Sequence, residues 1–552
     1  MSTHSSSAIT HRISLDARRI VNRSVAAALI TLSTLLFVVA NCVALADPGL
    51  EYDELLFVNG ALGVPHGYHD FIYREAFGVP TLLMPYIGAL KAWLYAPIFA
   101  VFGVSVDSVR VPAVLLAAVA LLIVVWLVRR LLGLWPAVAV SLLLASDPAF
   151  GAMARTDWGP IVLSALLRVV ALLCYFAFLR RGSIRYLWLL VIALTLGLFN
   201  KLDFAWFIVA LAVAALVVHH RELLDALRRR RGAFVAPIAV MVGIGIAAYF
   251  TLVKPANELP TTAPNLSLGA RISEVERLFR GTFDGASVYE NMTGVPLPHA
   301  TLIGSLFPWI LLASVVASGW LAVWGRRSKH VQLREATSLT AFFLVLFVVL
   351  AAGIVLTRQA TGPWHVMLLW PLPDLLAICL LVVAVRTPIT ILRRGAVTVA
   401  AVGVAALFVT QVRTSSEYDR AYRDYRRWTS AWSTEVYAAA RAVSRSAPNV
   451  QTVVSADWGL GTELYALGNE TMRTRFIDDW SIFTSSPPTL AAVEQGWLQG
   501  HGVIVVFHSQ AAQIMPSTTE RAEALVRSGG LRVRRIYVGR QIEADEVRPA
   551  HR

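Results

Sequence analysis

Apolar runs of about twenty residues recur along most of this chain, from Ser24–Ala46 near the amino terminus to Ala396–Val412. That is the length a helix needs to cross ~30 Å of hydrocarbon. Inside a bilayer each backbone N–H and C=O must find its partner within the protein, so such runs fold as a helical bundle. With 57% hydrophobic and 15% charged residues and a mean hydropathy of +0.61, a soluble globular fold is excluded. The net charge of +14 would suit nucleic acid, but the arginines are not interleaved with aromatics. They sit in short runs between apolar segments, the pattern that orients a membrane protein. Cys42, Cys174 and Cys379 all fall inside apolar runs, which argues against disulfides and against a cysteine metal site.

The basic segment 1–23 is expected in the cytoplasm. Ala44-Leu45-Ala46 imitates a cleavage site, but the run before it is longer than a signal core, so an uncleaved first span is expected. A long outer loop, 47–107, follows. It opens with a short helix from Tyr52 to Leu62, and its stretch Tyr86–Phe102 reads as helices lying in the membrane interface. Arg129-Arg130, Arg180-Arg181, Arg228–Arg231, Arg326-Arg327 and Arg386 then mark inner turns. About eleven spans result, within a transmembrane catalytic domain at 24–412. The tail, 413–552, is polar and alternates β-branched runs such as Val503–Phe507 with helical patterns, so an extracytoplasmic α/β domain is expected there. The fold class is an all-α polytopic membrane domain followed by that α/β domain.

Chemistry is suggested at two places on the outer face. Asp47-Pro48-Gly49-Leu50-Glu51-Tyr52-Asp53-Glu54 puts four carboxylates beside hydrocarbon, where charge is costly. Asp53 and Glu54 read either as a general base at the membrane surface or as caps and dipole partners of a helix start. Arg155-Thr156-Asp157-Trp158-Gly159-Pro160 follows the third span. There Asp157 and Arg155 read as an acceptor-positioning acid with an anion holder, or as an interfacial ion pair. Trp158 reads as a site or an aromatic-belt residue. His66 and His69 are candidate ligands of a divalent ion in the company of these acids. No other cofactor is indicated. Arg168 and Asp374 are ionisable residues within spans and so functional candidates. Glu274–Arg280 reads as a surface helix of the outer loop that follows the seventh span.

Tyr52-Asp53-Glu54 after the first span resembles the signature of the lipid-phosphosugar-dependent glycosyltransferases of the GT-C fold, among them the protein O-mannosyltransferases and the aminoarabinose lipid A transferases. The likeness continues in order through Ser105-x-x-Ser108-x-Arg110-Val111-Pro112, Arg129–Gly133, Asp157, Asn200-Lys201 and His365–Pro371, over roughly residues 20–390. It implies an inverting transfer from a polyprenyl-phosphate sugar to a lipid, glycan or protein acceptor on the outer face of the cell membrane. Asp53 is then the base, with Glu54 beside it, and Asp157 aids the acceptor. Arg155, Lys91 and Lys201 become candidates for the donor phosphate. Arg168, charged at mid-span, is a further candidate for a lipid phosphate by its depth, and Trp158, His365 and Asp374 are candidates for the acceptor or cavity. Where the O-mannosyltransferase loop carries His-Pro-Pro-Leu-Gly-Lys, this chain reads Met84-Pro85-Tyr86-Ile87-Gly88-Ala89-Leu90-Lys91. Two other readings stay open: a flippase of lipid-linked sugars, and a non-catalytic glycan-binding membrane protein.

Overall fold

The computed structural model describes residues 3–63, 73–229, 231–258, 266–298, 303–320, 330–357, 362–388, 390–424, 428–477, 480–484, 496, 502–527 and 531–549. Eight helices among them are long and apolar enough to cross a membrane, and one further pair of helices is bent by 57°. Three apolar helices are shorter: Leu90–Phe102, Ile184–Asn200 and Phe307–Trp320. Ten of these twelve units follow the expected spans directly. The other two carry the differences from the sequence reading.

The first helix, α1 (Thr3–Cys42), ends short of the acid-rich stretch, and α2 (Tyr52–Leu62) begins where the sequence placed it. Its start is a capping box. The Glu51 side chain accepts from Asp53 N, and the Glu54 side chain accepts from Glu51 N, so two otherwise orphaned donors are satisfied. Three short strands follow, β1 (Arg74–Ala76), β2 (Val79–Met84) and β3 (Ile87–Gly88), paired antiparallel in that order. The helix after them, α3 (Leu90–Phe102), has 13 residues. At ~1.5 Å per residue it reaches about 20 Å, short of a full crossing. The stretch expected to be all interfacial helix therefore begins as a strand.

The second departure concerns the third span. A single helix is expected over Gly133–Phe150, but α4 (Val106–Leu131) is followed by two helices, α5 (Leu134–Ser146) and α6 (Pro148–Arg155), with the 57° bend between them. The break has a local cause. Asp147 caps α6, accepting from Ala149 N and Phe150 N at 3.0 Å each, and Pro148 occupies the first helical position, where its missing N–H costs nothing. Residues 148–155 thereby run sideways and deliver Thr156 and Asp157 to the level of α2.

The bundle continues through α7 (Ile161–Arg181), α8 (Ile184–Asn200), α9 (Phe204–Arg229), α10 (Arg231–Ala248) and α11 (Lys254–Glu258). The surface helix read at Glu274–Arg280 is part of α12 (Leu268–Phe283), beside α13 (Ala286–Thr293). The last spans belong to α14 (Ile303–Trp320), α15 (Val331–Leu356), α16 (Pro363–Val366) with α17 (Leu372–Arg386), and α18 (Thr390–Tyr422). A continuous buried apolar core runs through α4, α5, α7, α9, α15 and α17.

After α18 come α19 (Glu435–Ser446), β4 (Thr452–Ser455), α20 (Leu460–Leu467), α21 (Glu470–Arg473), β5 (Phe476–Ile477), α22 (Trp480–Thr484), β6 (Val503–His508), α23 (Thr518–Arg527), β7 (Leu531–Val538) and β8 (Ile542–Pro549). The strands form one mixed sheet in the order β5-β4-β6-β8-β7. Its β4, β5 and β6 are parallel, while β8 is antiparallel to both of its neighbours. The buried run Val503–His508 lies at its centre, as a parallel strand covered on both faces should read.

Candidate active site

Four segments converge around Asp53: the start of α2, β3 with the beginning of α3, residues 156–160 after α6, and the turn 200–203 between α8 and α9. The last of these is tied to β3. Leu202 N donates to Tyr86 O at 2.9 Å, and Ile87 bridges Lys201. Gly88 permits the approach, because a Cβ there would stand 1.9 Å from Phe199 O.

Asp53 is partly exposed. Its Oδ2 accepts a hydrogen bond of 3.1 Å from Trp158 Nε1. Burial raises its carboxyl above the ordinary range, while Lys201, the Trp158 indole and Lys91 pull it back. Gly159 lies beside it: a Cβ there would be in ordinary contact with Asp53 Cβ, at 3.9 Å. Asp157 is in a different state. It is buried, with φ of 45°, and both its oxygens are taken. Lys91 Nζ lies 2.9 Å from Oδ1, and Tyr95 OH donates to Oδ2 at 2.8 Å. Burial pushes this carboxyl up to about 6 despite the Lys91 ammonium.

Three residues expected at the chemistry have other work. Lys91 also donates to Asp157 O at 3.0 Å and Gly159 O at 2.6 Å. An ammonium has three protons, so Lys91 is a clamp on residues 157–159 and has none left for a phosphate. Arg155 donates to Ala44 O at 2.5 Å and to Asp47 O at 3.1 and 3.3 Å, and its guanidinium lies 3.9 Å from the Tyr422 ring centroid. It satisfies carbonyls at and beyond the end of α1 and is not aimed at the site. Glu54 is fully buried against Arg110, which donates to Oε1 at 2.6 Å and Oε2 at 2.8 Å and also to Leu45 O, Pro48 O and Gly49 O. That bidentate pair fixes the loop before α2.

Lys201 remains near the open carboxylate. Its Nζ lies 3.1 Å from Asp203 Oδ2, and its charge acts on both Asp53 and His365. His365 is partly exposed, and its Nδ1 is buried without a hydrogen-bond partner. Tyr86 faces Asp53 and Asp203, and its hydroxyl is raised by burial and by both carboxylates. Arg168 is buried in α7, gives one hydrogen bond, to Met367 O at 2.9 Å, and leaves Nε unpaired; Asp203 is the acid whose charge acts on it. Asp374 stands apart, lining a small cavity with Asp147, Thr282, Met367 and Trp370, and its Oδ1 is unpaired. His66 and His69 lie outside the described residues. Among the described residues no group of three or more His, Cys, Asp or Glu side chains could hold a metal ion.

The sequence reading passed over Tyr95, Asp203, Trp364 and Trp432. Trp364 and Trp432 both pack on Trp158, with ring centroids 5.4 and 4.9 Å away. Trp364 adjoins His365, a signal that was readable. Trp432 lies far along the chain and carries no motif.

Residues 88–253 match the family described as dolichyl-phosphate-mannose-protein mannosyltransferase. That segment holds Lys91, Asp157, Arg168 and Lys201. No curated protein matches the sequence. Among solved structures, ArnT from Cupriavidus metallidurans in the apo state superposes with a TM-score of 0.50 at 13% identity, covering 95% of this chain and 98% of that one. The Archaeoglobus fulgidus oligosaccharyltransferase, in a complex with Zn and sulfate, superposes with a TM-score of 0.51 at 14% identity, covering 87% and 68%. The chain has the GT-C fold of these membrane glycosyltransferases.

Proposed function

We propose that this chain, a multi-pass membrane protein of GT-C fold, is an inverting glycosyltransferase that moves a sugar from a polyprenyl-phosphate carrier to an acceptor hydroxyl at the outer face of the cell membrane. The observation that carries the reading is the unequal state of the two acids. Asp157 has both oxygens occupied in a buried clamp. Asp53 is partly exposed and holds one indole hydrogen bond. One acid is thus a fixed part of the frame and the other is free to take a proton.

In this reading Asp53 accepts the proton of the acceptor hydroxyl as its oxygen attacks the anomeric carbon. The new C–O bond forms on the face opposite the carrier. The bond to the phosphate oxygen breaks, and the polyprenyl phosphate leaves with the electron pair. Lys201 and Arg168 are the cations that remain for the developing phosphate charge, since Lys91 and Arg155 are engaged elsewhere. The family matched over residues 88–253 is described by a lipid-phosphate sugar donor, which supports a donor of that class here. Placement of residues 47–107 and 413–552 outside rests on the arginine runs at the inner turns.

The test is lipid analysis of a strain lacking this protein. A polyprenyl-phosphate sugar should accumulate, and the wild-type chain but not Asp53→Asn should clear it. No accumulation, or clearance by the variant, would overturn the reading.

A further inference from the structure

The connector 428–435 joins α18 to the α/β unit and makes contacts in three directions. Thr429 N donates to Met292 O at the end of α13 at 3.0 Å. On the side of the sheet, Gln541 Nε2 donates to Trp428 O, and the Glu435 carboxylate accepts from the backbone N–H groups of Arg540, Gln541 and Ile542 at 2.8–3.1 Å. Between these anchors Trp432, 1% exposed, sets its ring at 73° to that of Trp158, with centroids 4.9 Å apart. The backbone is held there as well. Gly49 N donates to Trp432 O at 2.8 Å, and a Cβ on Gly49 would stand 2.1 Å from Ser433 O.

Trp158 is itself 2% exposed, and its Nε1–H is the donor on Asp53. The direction of that N–H depends on the indole rotamer, and packing of neighbouring rings is what fixes a buried rotamer. We propose that Trp432 is a positioning residue for the transfer reaction: it locks the Trp158 indole so that Nε1–H stays on the Asp53 carboxylate, and so makes the connector into the α/β unit part of the active site. This rests on the reading of Asp53 as the base. The other groups facing that carboxyl are the ammonium groups of Lys201 and Lys91, the Tyr86 hydroxyl and the neighbouring Glu51, which accepts from Asp53 N. Among the groups that act on Asp53, Trp158 packs on Trp432.

A hydrogen bond to an ionised carboxylate favours the ionised form. Loosening the indole therefore shifts Asp53 toward the protonated form, and the acid limb of the rate profile moves to higher pH. The experiment uses the full chain in liposomes, the radiolabelled polyprenyl-phosphate sugar that accumulates in the deletion strain, and membranes of that strain as acceptor. Trp158→Phe, which removes the N–H and keeps a ring, should raise the acid limb by about one pH unit. Trp432→Ala should raise it in the same direction, and the double variant should move no further than Trp158→Phe alone. Trp432→Leu keeps apolar volume without the aromatic edge and serves where Trp432→Ala does not fold. An acid limb that stays at its wild-type position in the Trp432 variant, or a double-variant shift equal to the sum of the single shifts, overturns the proposal. Asp53→Asn separates the two levels. If it transfers normally, the base assignment fails. If it is inactive while the Trp432 variants keep the wild-type profile, the positioning role fails and the base assignment stands.

Discussion

Lys91 Nζ sits 2.9 Å from Asp157 Oδ1, and the two side chains are 4% and 2% exposed. The lysine comes from the first turn of α3 and the acid from beyond α6, so the pair ties the start of α3 to the segment that follows the bent helix pair. Its ammonium also lies 4.4 Å from the Phe57 ring centroid, an arrangement that further favours the cation.

Breaking one side of this pair strands a buried charge, which costs about 3–5 kcal/mol. Lys91→Met should therefore lower thermal stability sharply. In the combined variant Lys91→Met with Asp157→Asn the loss should largely be recovered, since replacing both members of a buried pair is often near neutral. Transfer should not recover. Thermal unfolding in detergent alongside the transfer assay checks both.

The carboxyl of Asp157 is raised to about 6 and that of Asp53 is also raised. Asp53 must be a carboxylate to act as the proposed base, and the Asp157 carboxylate holds the Lys91 clamp, so transfer should decline as pH falls through about 6, where Asp157 takes its proton. For stability the sign is opposite. A raised folded-state pKa means that the native chain binds the extra proton between the ordinary value and about 6. Asp157 therefore lowers stability as pH rises through that window. A rate profile and a melting profile recorded over the same pH range should slope in opposite directions there.

Glu54→Gln should act on the fold before it acts on the chemistry. Arg110 would keep its contacts to Leu45 O, Pro48 O and Gly49 O but lose its buried counter-ion, at about 3–5 kcal/mol. The expected result is a lower unfolding temperature and faster proteolysis within 45–49. Asp53→Asn, one residue away, should leave the unfolding temperature near wild type.

Arg155→Lys should destabilise by about 1–3 kcal/mol, because a lysine cannot reproduce the forked contact to Ala44 O and Asp47 O or the stacking on Tyr422. The KM for the lipid-linked donor should be unchanged in the folded fraction. A raised donor KM with unchanged stability would return Arg155 to the phosphate.

The spans, the helix Tyr52–Leu62 and the nearness of Asp53 and Asp157 were legible because each follows from a local rule: apolar length, a capping pattern, and a shared membrane face. The break at Asp147-Pro148 was legible too, as an N-cap residue followed by proline, but the apolar run on either side masked it. What sequence could not tell is where a cation points. Lys91, Arg155 and Lys201 read alike as phosphate ligands, yet the first faces Asp157, the second faces backbone carbonyls of 44–47, and the third faces Asp203 near the open carboxylate. Those differences come from tertiary packing, as does the arrival of Trp432 beside Trp158 from a residue far along the chain.

The latch between β3 and the turn that carries Lys201 bears on how such an enzyme could be re-engineered. Gly88 has no room for a side chain against Phe199, and Tyr86 and Leu202 share a backbone hydrogen bond. Grafting the first loop alone from a relative would leave the lysine turn unsupported, so a graft in this region calls for exchanging 86–88 and 199–203 together as one cassette.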